Sequence, residues 1–235
     1  MVTKSVDAFI PSRNGFHFQN EFEGPVIRIE VPRFGDIPIG NAAGGLCGGM
    51  VFAVADLFAH KLAPPTDTQA PANGTPLFEY LSRRLVDSFD VPTGVLKYYQ
   101  WMCLPNETGF LGHPKSIIWH TANEWPLVQK DLDSGQLCPL GLIKVDSLNP
   151  MRIGDNHQVL AYAYELDEGN GDLEVRVYDP NCPDEDDVTL SLNISGSGQN
   201  AKIDYSADAR ARGFFRSRYQ PTRPSEGFGI GSWST

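Results

Sequence analysis

Apolar positions follow two regimes along the 235-residue chain, a helical period in its first half and a period of two in its second. Over residues 48–62 almost every side chain is apolar (Met50, Val51, Phe52, Ala53, Val54, Ala55, Leu57, Phe58). A helix with no polar face belongs inside a core, so a central buried helix is predicted, ended by Pro64-Pro65. Residues 64–75, rich in Pro, Thr and Ala, read as an exposed loop. Helical spacing returns over 76–89, where Leu77, Tyr80, Leu81, Leu85 and Val86 share a face, then over 93–102, and over about 124–132 with Gly135 as a C-cap. From Cys138 onward the spacing predicts strands at 140–145, 157–166, 173–178, 188–194 and 213–219. Turn-formers such as Asp167-Glu168-Gly169-Asn170-Gly171 and Gly196-Ser197-Gly198 separate them.

Residues 1–40 alternate aromatic or aliphatic with polar side chains, as in Phe16-His17-Phe18-Gln19-Asn20 and Val26-Ile27-Arg28-Ile29-Glu30-Val31, which predicts extended segments covering a core. Residues 221–235 read as a loose tail, and no internal repeat is present. The expected architecture is one α+β domain: a helical subdomain over about 41–135 whose central helix packs on an antiparallel sheet or barrel over about 136–220.

Composition is that of an ordinary globular chain, so disorder is not expected. Charge changes the picture more. At −10 formal charges and a pI near 4.9 the chain lacks the clustered Lys and Arg that a phosphate backbone requires, and no nucleic-acid partner is expected. No stretch approaches the roughly 20 apolar residues that cross a bilayer, and residues 1–13 lack the basic-then-apolar order of a secretory signal. A cytoplasmic location without membrane association is the expectation. Cys47, Cys103, Cys138 and Cys182 show neither zinc-like spacing nor the density of a disulfide framework, so neither a metal nor a cofactor is expected and a reducing compartment fits. The sequons at Asn73, Asn106 and Asn193 read as chance occurrences.

Chemistry concentrates in Asn41-Ala42-Ala43-Gly44-Gly45-Leu46-Cys47-Gly48-Gly49-Met50, where a glycine-rich loop enters the buried helix. Unpaired N–H groups and the positive helix end favour a thiolate there, and the glycines let a substrate carbonyl approach the backbone. A thiolate nucleophile needs a base, and the base needs an orienter. Among His17, His60, His113, His120 and His157, only His157 opens a strand that faces a carboxylate-bearing strand. A hairpin centred at 168 sets 157 opposite 179, and one centred at 169 sets it opposite 181. Parity places His157, Val159, Ala161 and Ala163 on one face with Val175, Val177 and Asp179. Asp179 is therefore assigned as orienter, with Asn181 as substitute. The Cys47 N–H and the Asn41 side-chain amide are the candidate oxyanion donors.

Asn41-x5-Cys47 at a helix start, then His157 on a strand and Asp179 after the next strand, resembles the papain-like cysteine peptidase superfamily. The segments Leu132-Asp133-Ser134-Gly135-Gln136-Leu137-Cys138-Pro139-Leu140, His157-Gln158-Val159-Leu160-Ala161-Tyr162 and Tyr178-Asp179-Pro180 look closest to its bacterial C39-like branch. The likeness spans about residues 41–182. It implies a papain-like fold and a thiol hydrolase acting on a peptide or amide-containing substrate, with an amide six residues before the nucleophile completing the oxyanion hole. The chain departs from papain and cathepsins in lacking Cys-Gly-Ser/Ala-Cys-Trp/Tyr and in carrying Asn41 where papain carries Gln.

Transglutaminases and deamidases use the same order of Cys, His and Asp, and a catalytically inactive binding protein on the same fold is a further alternative. Cys182, three residues after Asp179, is the rival thiol. The run Asp184-Glu185-Asp186-Asp187 lacks the glycine and Glu spacing of an EF-hand and reads as a solvated turn. Asp56, in mid-helix, reads as a buried polar contact of unassigned role.

Overall fold

A computed structural model describes residues 1–23, 26–32, 34–40, 45–109, 114–195, 202–208, 211–224 and 231–232. In chain order the elements are β1 (Val2–Ser5), α1 (Pro11–Asn14), β2 (Ile27–Val31), β3 (Gly35–Gly40), α2 (Cys47–Ala59), β4 (Leu62–Ala63), α3 (Pro76–Ser88), α4 (Thr93–Met102) and α5 (Ile117–Asp133). There follow β5 (Cys138–Ile143), a 3-10 turn (Pro150–Asp155), β6 (His157–Asp167), β7 (Asp172–Tyr178), β8 (Thr189–Asn193), β9 (Asp204–Tyr205), β10 (Gly213–Arg216) and β11 (Gly231–Ser232). The protein is α+β, with a curled antiparallel half-barrel sheet in the order β10-β5-β6-β7-β8-β9. β1 adds to the same edge of β6 beyond β5: residues 157–161 of β6 pair with β5, and residues 163–166 pair with β1. The first strand is thus part of the main sheet, not only a cover over the core.

The all-apolar run forms α2, and from Cys47 to Leu57 every one of its residues is buried. It packs between α3 and β6, which removes its whole circumference from water. Close approach to α3 needs a bare backbone. A Cβ on Gly49 would lie 2.1 Å from the Leu81 carbonyl oxygen, a contact with main chain that no rotamer change relieves. Gly49→Ala is accordingly expected to cost about 1–3 kcal/mol by overpacking. A lowered urea midpoint at unchanged m-value checks this.

α3 starts on Thr75, whose hydroxyl accepts from the Phe78 N–H. α5 starts on Ser116, capping the Trp119 N–H, and therefore reaches two turns further upstream than the sequence pattern predicts. Pro126 inside it breaks the helical pattern in sequence but not the helix. Its other end follows expectation: Gly135 at φ +75° makes a Schellman closure, with the Gln136 N–H on the Asp131 carbonyl and the Gly135 N–H on that of Leu132.

The β6–β7 ladder pairs Leu160 with Tyr178 and Ala161 with Val177, but Ala163 with Arg176 and Tyr164 with Val175. The extra residue, Tyr162, is a bulge. It overturns the parity reading for Ala163, which pairs with Arg176 and so does not share the face of Val175 and Val177. The start of the tail is also less loose than expected: the Thr222 N–H donates to Asp56, next to the bond from the Tyr219 hydroxyl just upstream. β11 pairs with β4.

Candidate active site

Cys47 is the first residue of α2, His157 the first of β6, and Asp179 follows the last residue of β7. All three are buried. The His157 Nε2 bonds Asp179 Oδ1 at 2.7 Å. Cys47 lies close enough to the ring to raise its basicity, and with Nε2 taken by the carboxylate the nitrogen left for sulfur is Nδ1. Asp179 receives further donors: the Asn181 N–H at 2.9 Å on Oδ1 and the Tyr205 hydroxyl on Oδ2. A buried carboxylate with donors on both oxygens is held as the anion and cannot swing away from the ring.

Electrostatics follow from this packing. Burial pulls the His157 pKa down, but the Asp179 carboxylate and Cys47, by charge and by hydrogen bonds, more than offset it and raise it to about 10. Burial pushes the Asp179 carboxyl up, yet the His157 ring and the hydrogen bonds from His157, Tyr205 and Asn181 hold it below the ordinary carboxylate range. Both shifts favour an imidazolium facing a carboxylate, with the sulfur on the other side.

The rival thiol behaves oppositely. Burial and the neighbouring Asp179 push Cys182 up to about 12, which keeps it protonated and unreactive. Cys138 is likewise pushed up by burial inside the sheet. Cys103 is exposed and serves as an internal reference thiol.

Asn41 lies outside the described residues. Asn181 is not the partner of the imidazole. Continuing the Leu160–Tyr178 register would set position 181 opposite 157, but the ladder ends at Tyr178 and it is Asp179 that reaches the ring. The Asn181 Oδ1 instead accepts from the Asn20 Nδ2 at 3.0 Å. Asn20 and Tyr205 are the site neighbours that the sequence does not announce, because neither belongs to a motif and both reach the site across long separations. Asn20 Oδ1 also accepts the Leu46 N–H at 2.6 Å, just before the candidate nucleophile. Gly45 sits at φ +68°, where a Cβ would fall 2.2 Å from Asn20 Nδ2, so both conformation and space demand glycine there.

The remaining histidines stand elsewhere. His17 pairs with Asp184 at 2.5 Å, the His60 ring contacts the Asp56 carbonyl, and His120 lies between Trp101 and Trp119. His113 is outside the described residues. The acidic turn holds the N-terminal segment, since Asp186 accepts from both the Ser12 N–H and its hydroxyl at 2.8 Å. Among the described residues no cluster of three or more His, Cys, Asp or Glu side chains is arranged to hold a metal ion. No helix among them is long and apolar enough to cross a membrane.

A cleft of about 520 Å³ opens beside His157. Its lining is polar, with Gln19, Asn20, Asn156 and Asn181 supplying amides and Glu21, Asp155 and Lys144 supplying charge. A scan against protein-family models and searches of curated proteins and of solved structures return no match.

Proposed function

We propose that the protein is a cysteine-dependent hydrolase, a peptidase or amidase of papain-like type. One observation carries the reading: a buried imidazole bonded through Nε2 to a buried carboxylate at 2.7 Å and neighboured by a thiol at a helix N-terminus. The chain order of nucleophile, base and acid, and the curled antiparallel sheet packed on the helix that bears the thiol, support it further.

In this mechanism the Cys47 thiolate attacks the substrate carbonyl carbon, and the carbonyl π electrons move to oxygen. The oxyanion is met by the Cys47 N–H and, in the sequence-based reading, by the Asn41 amide. The His157 imidazolium gives its proton to the departing nitrogen as the C–N bond breaks, leaving a thioester on Cys47. Neutral His157 then takes a proton from water, hydroxide attacks the thioester, and the acid product leaves with the thiolate restored. Asp179 fixes the ring and stabilises its positive charge throughout. Because His157 protonates the leaving amine, that half of the substrate occupies the polar cleft beside the ring.

Incubation with a pool of peptides, read by mass spectrometry, tests the reading. New amino termini formed by the wild type and absent with Cys47→Ala support a peptidase. A gain of about 1 Da at Gln with ammonia release and no cleavage would mark a deamidase instead. No Cys47-dependent change in any peptide or amide would count against hydrolysis.

The pH dependence has a definite sign. The protonated ring is needed to expel the amine, and its raised pKa keeps it protonated through neutrality, so the rate falls only as pH climbs through about 10. Asp179, held low, ionises below the ordinary carboxylate range and adds no loss near neutrality. A kcat/KM profile with its alkaline limb near 6.5 would contradict this assignment.

A further inference from the structure

We propose that Asn20 is a positioning residue of this site: its carboxamide clamps the thiol-bearing loop to the turn that carries the acid, and so sets the Cys47–His157 separation. The proposal rests on reading the Cys47, His157 and Asp179 constellation as catalytic.

Three bonds make the clamp. Asn20 Oδ1 accepts the Leu46 N–H at 2.6 Å, its Nδ2 donates to Asn181 Oδ1 at 3.0 Å, and its own backbone N–H donates to the Pro180 carbonyl at 3.1 Å. The Asn181 N–H then donates to Asp179 Oδ1, the same oxygen that takes His157 Nε2. Since Leu46 is bonded covalently to Cys47, these contacts form a chain that links the thiol-bearing residue through Asn20, Asn181 and Asp179 to the His157 ring.

Asparagine suits this place. One end must accept and the other must donate, in opposite directions, on a side chain that is 9% exposed. Aspartate would lose the donation to Asn181 Oδ1 and set a negative charge in this buried place. Glutamine is one methylene too long for the space left against Gly45. The segment around Asn20 is itself anchored to the same turn through His17 on Asp184 and Ser12 on Asp186, so the clamp has a fixed base.

Why an enzyme would need it follows from topology. The nucleophile leads α2 and the acid ends β7, two elements joined by no short connection, and small misplacements at reacting atoms cost rate steeply. The N-terminal segment is the bridge between them.

The test compares iodoacetamide alkylation of Cys47 at pH 6 and pH 10 in the full-length wild type, Asn20→Ala and Asn181→Ala, with Cys103 as reference in each. Loss of either end of the clamp is expected to slow Cys47 at pH 6 by roughly 10–100-fold, to leave Cys103 unchanged, and to leave Cys47 near its wild-type rate at pH 10, where an ordinary thiol is ionised. The double variant is expected to be no slower than Asn20→Ala alone, because both substitutions open one clamp. Asn181 is exposed, so if Asn20→Ala fails to melt cooperatively, Asn181→Ala alone decides. Wild-type rates for Cys47 in the folded variants would overturn the clamp while leaving the catalytic reading intact. A wild-type Cys47 no faster than Cys103 at pH 6 would remove both together.

Discussion

His157→Ala is expected to lower kcat by roughly 10²–10⁴-fold with the fold intact. In the proposed mechanism the ring makes two transfers in each turnover, to the departing amine and from the attacking water. Removing the ring takes the charge partner from Asp179 but leaves its other hydrogen bonds. Asp179 keeps the Asn181 N–H on one oxygen and the Tyr205 hydroxyl on the other, so the buried carboxylate retains donors and the turn after β7 stays in place. The loss should therefore appear in kcat with KM close to wild type, the pattern of an interaction used only in the transition state, while the urea midpoint falls because buried Asp179 loses its charge partner. A variant that kept a third of wild-type kcat would mean that His157 does not carry the proton.

Asp56→Ala is expected to have the largest effect on stability, about 3–5 kcal/mol, and little effect on kcat per folded molecule. Asp56 is fully buried in α2, in an ion pair with Arg84, whose Nε lies 2.7 Å from Oδ2. Its oxygens also accept from the Tyr80 hydroxyl at 2.7 Å, the Tyr219 hydroxyl at 2.9 Å and the Thr222 N–H at 2.8 Å. Truncation leaves the buried guanidinium with only the half-exposed Asp87 as a charge partner and strands several donors without acceptors, a penalty above the worth of the pair itself. Against the 5–15 kcal/mol typical of a folded domain, that is a large share. Chemical denaturation of Asp56→Ala beside Asp56→Leu/Arg84→Met separates the causes: the paired apolar replacement should recover most of the loss. Asp56 stands nine residues after Cys47 on the same helix, roughly 13 Å along its axis, so turnover by the folded fraction should be unaffected.

How far the sequence reveals this structure depends on the range of the interaction. α4 spans the predicted 93–102, and α3 ends one residue before its predicted limit, because local apolar spacing and caps decide both. The β6–β7 hairpin is legible for the same reason, its strands being joined by a four-residue turn of strong formers. The bulge at Tyr162 is not legible, since no glycine or proline marks it. α5 begins seven residues before the predicted start near 124, because its cap on Ser116 and its packing on β10 and β1, not a local apolar period, fix that end.

The site divides in the same way. Cys47, His157 and Asp179 stand out because each sits at the end of a locally predictable element, where side chains point to an edge and not into a layer. Asn20 does not. It lies in no element, and its two side-chain partners, Leu46 and Asn181, are 26 and 161 residues away. Tyr205 is hidden similarly, on a two-residue strand that exists only by pairing with β8.

The central claim is that the sulfur at the start of α2 is held as a nucleophile by the imidazole of His157. Its most direct measurement is the alkylation rate of Cys47 relative to exposed Cys103 in the native wild type at pH 6, where a thiol with the ordinary pKa near 8.5 is almost wholly protonated. Cys47 reacting at least tenfold faster, with the advantage lost in His157→Ala, is the predicted result. Equal rates for the two thiols, or a Cys47 advantage that survives removal of the ring, would contradict it.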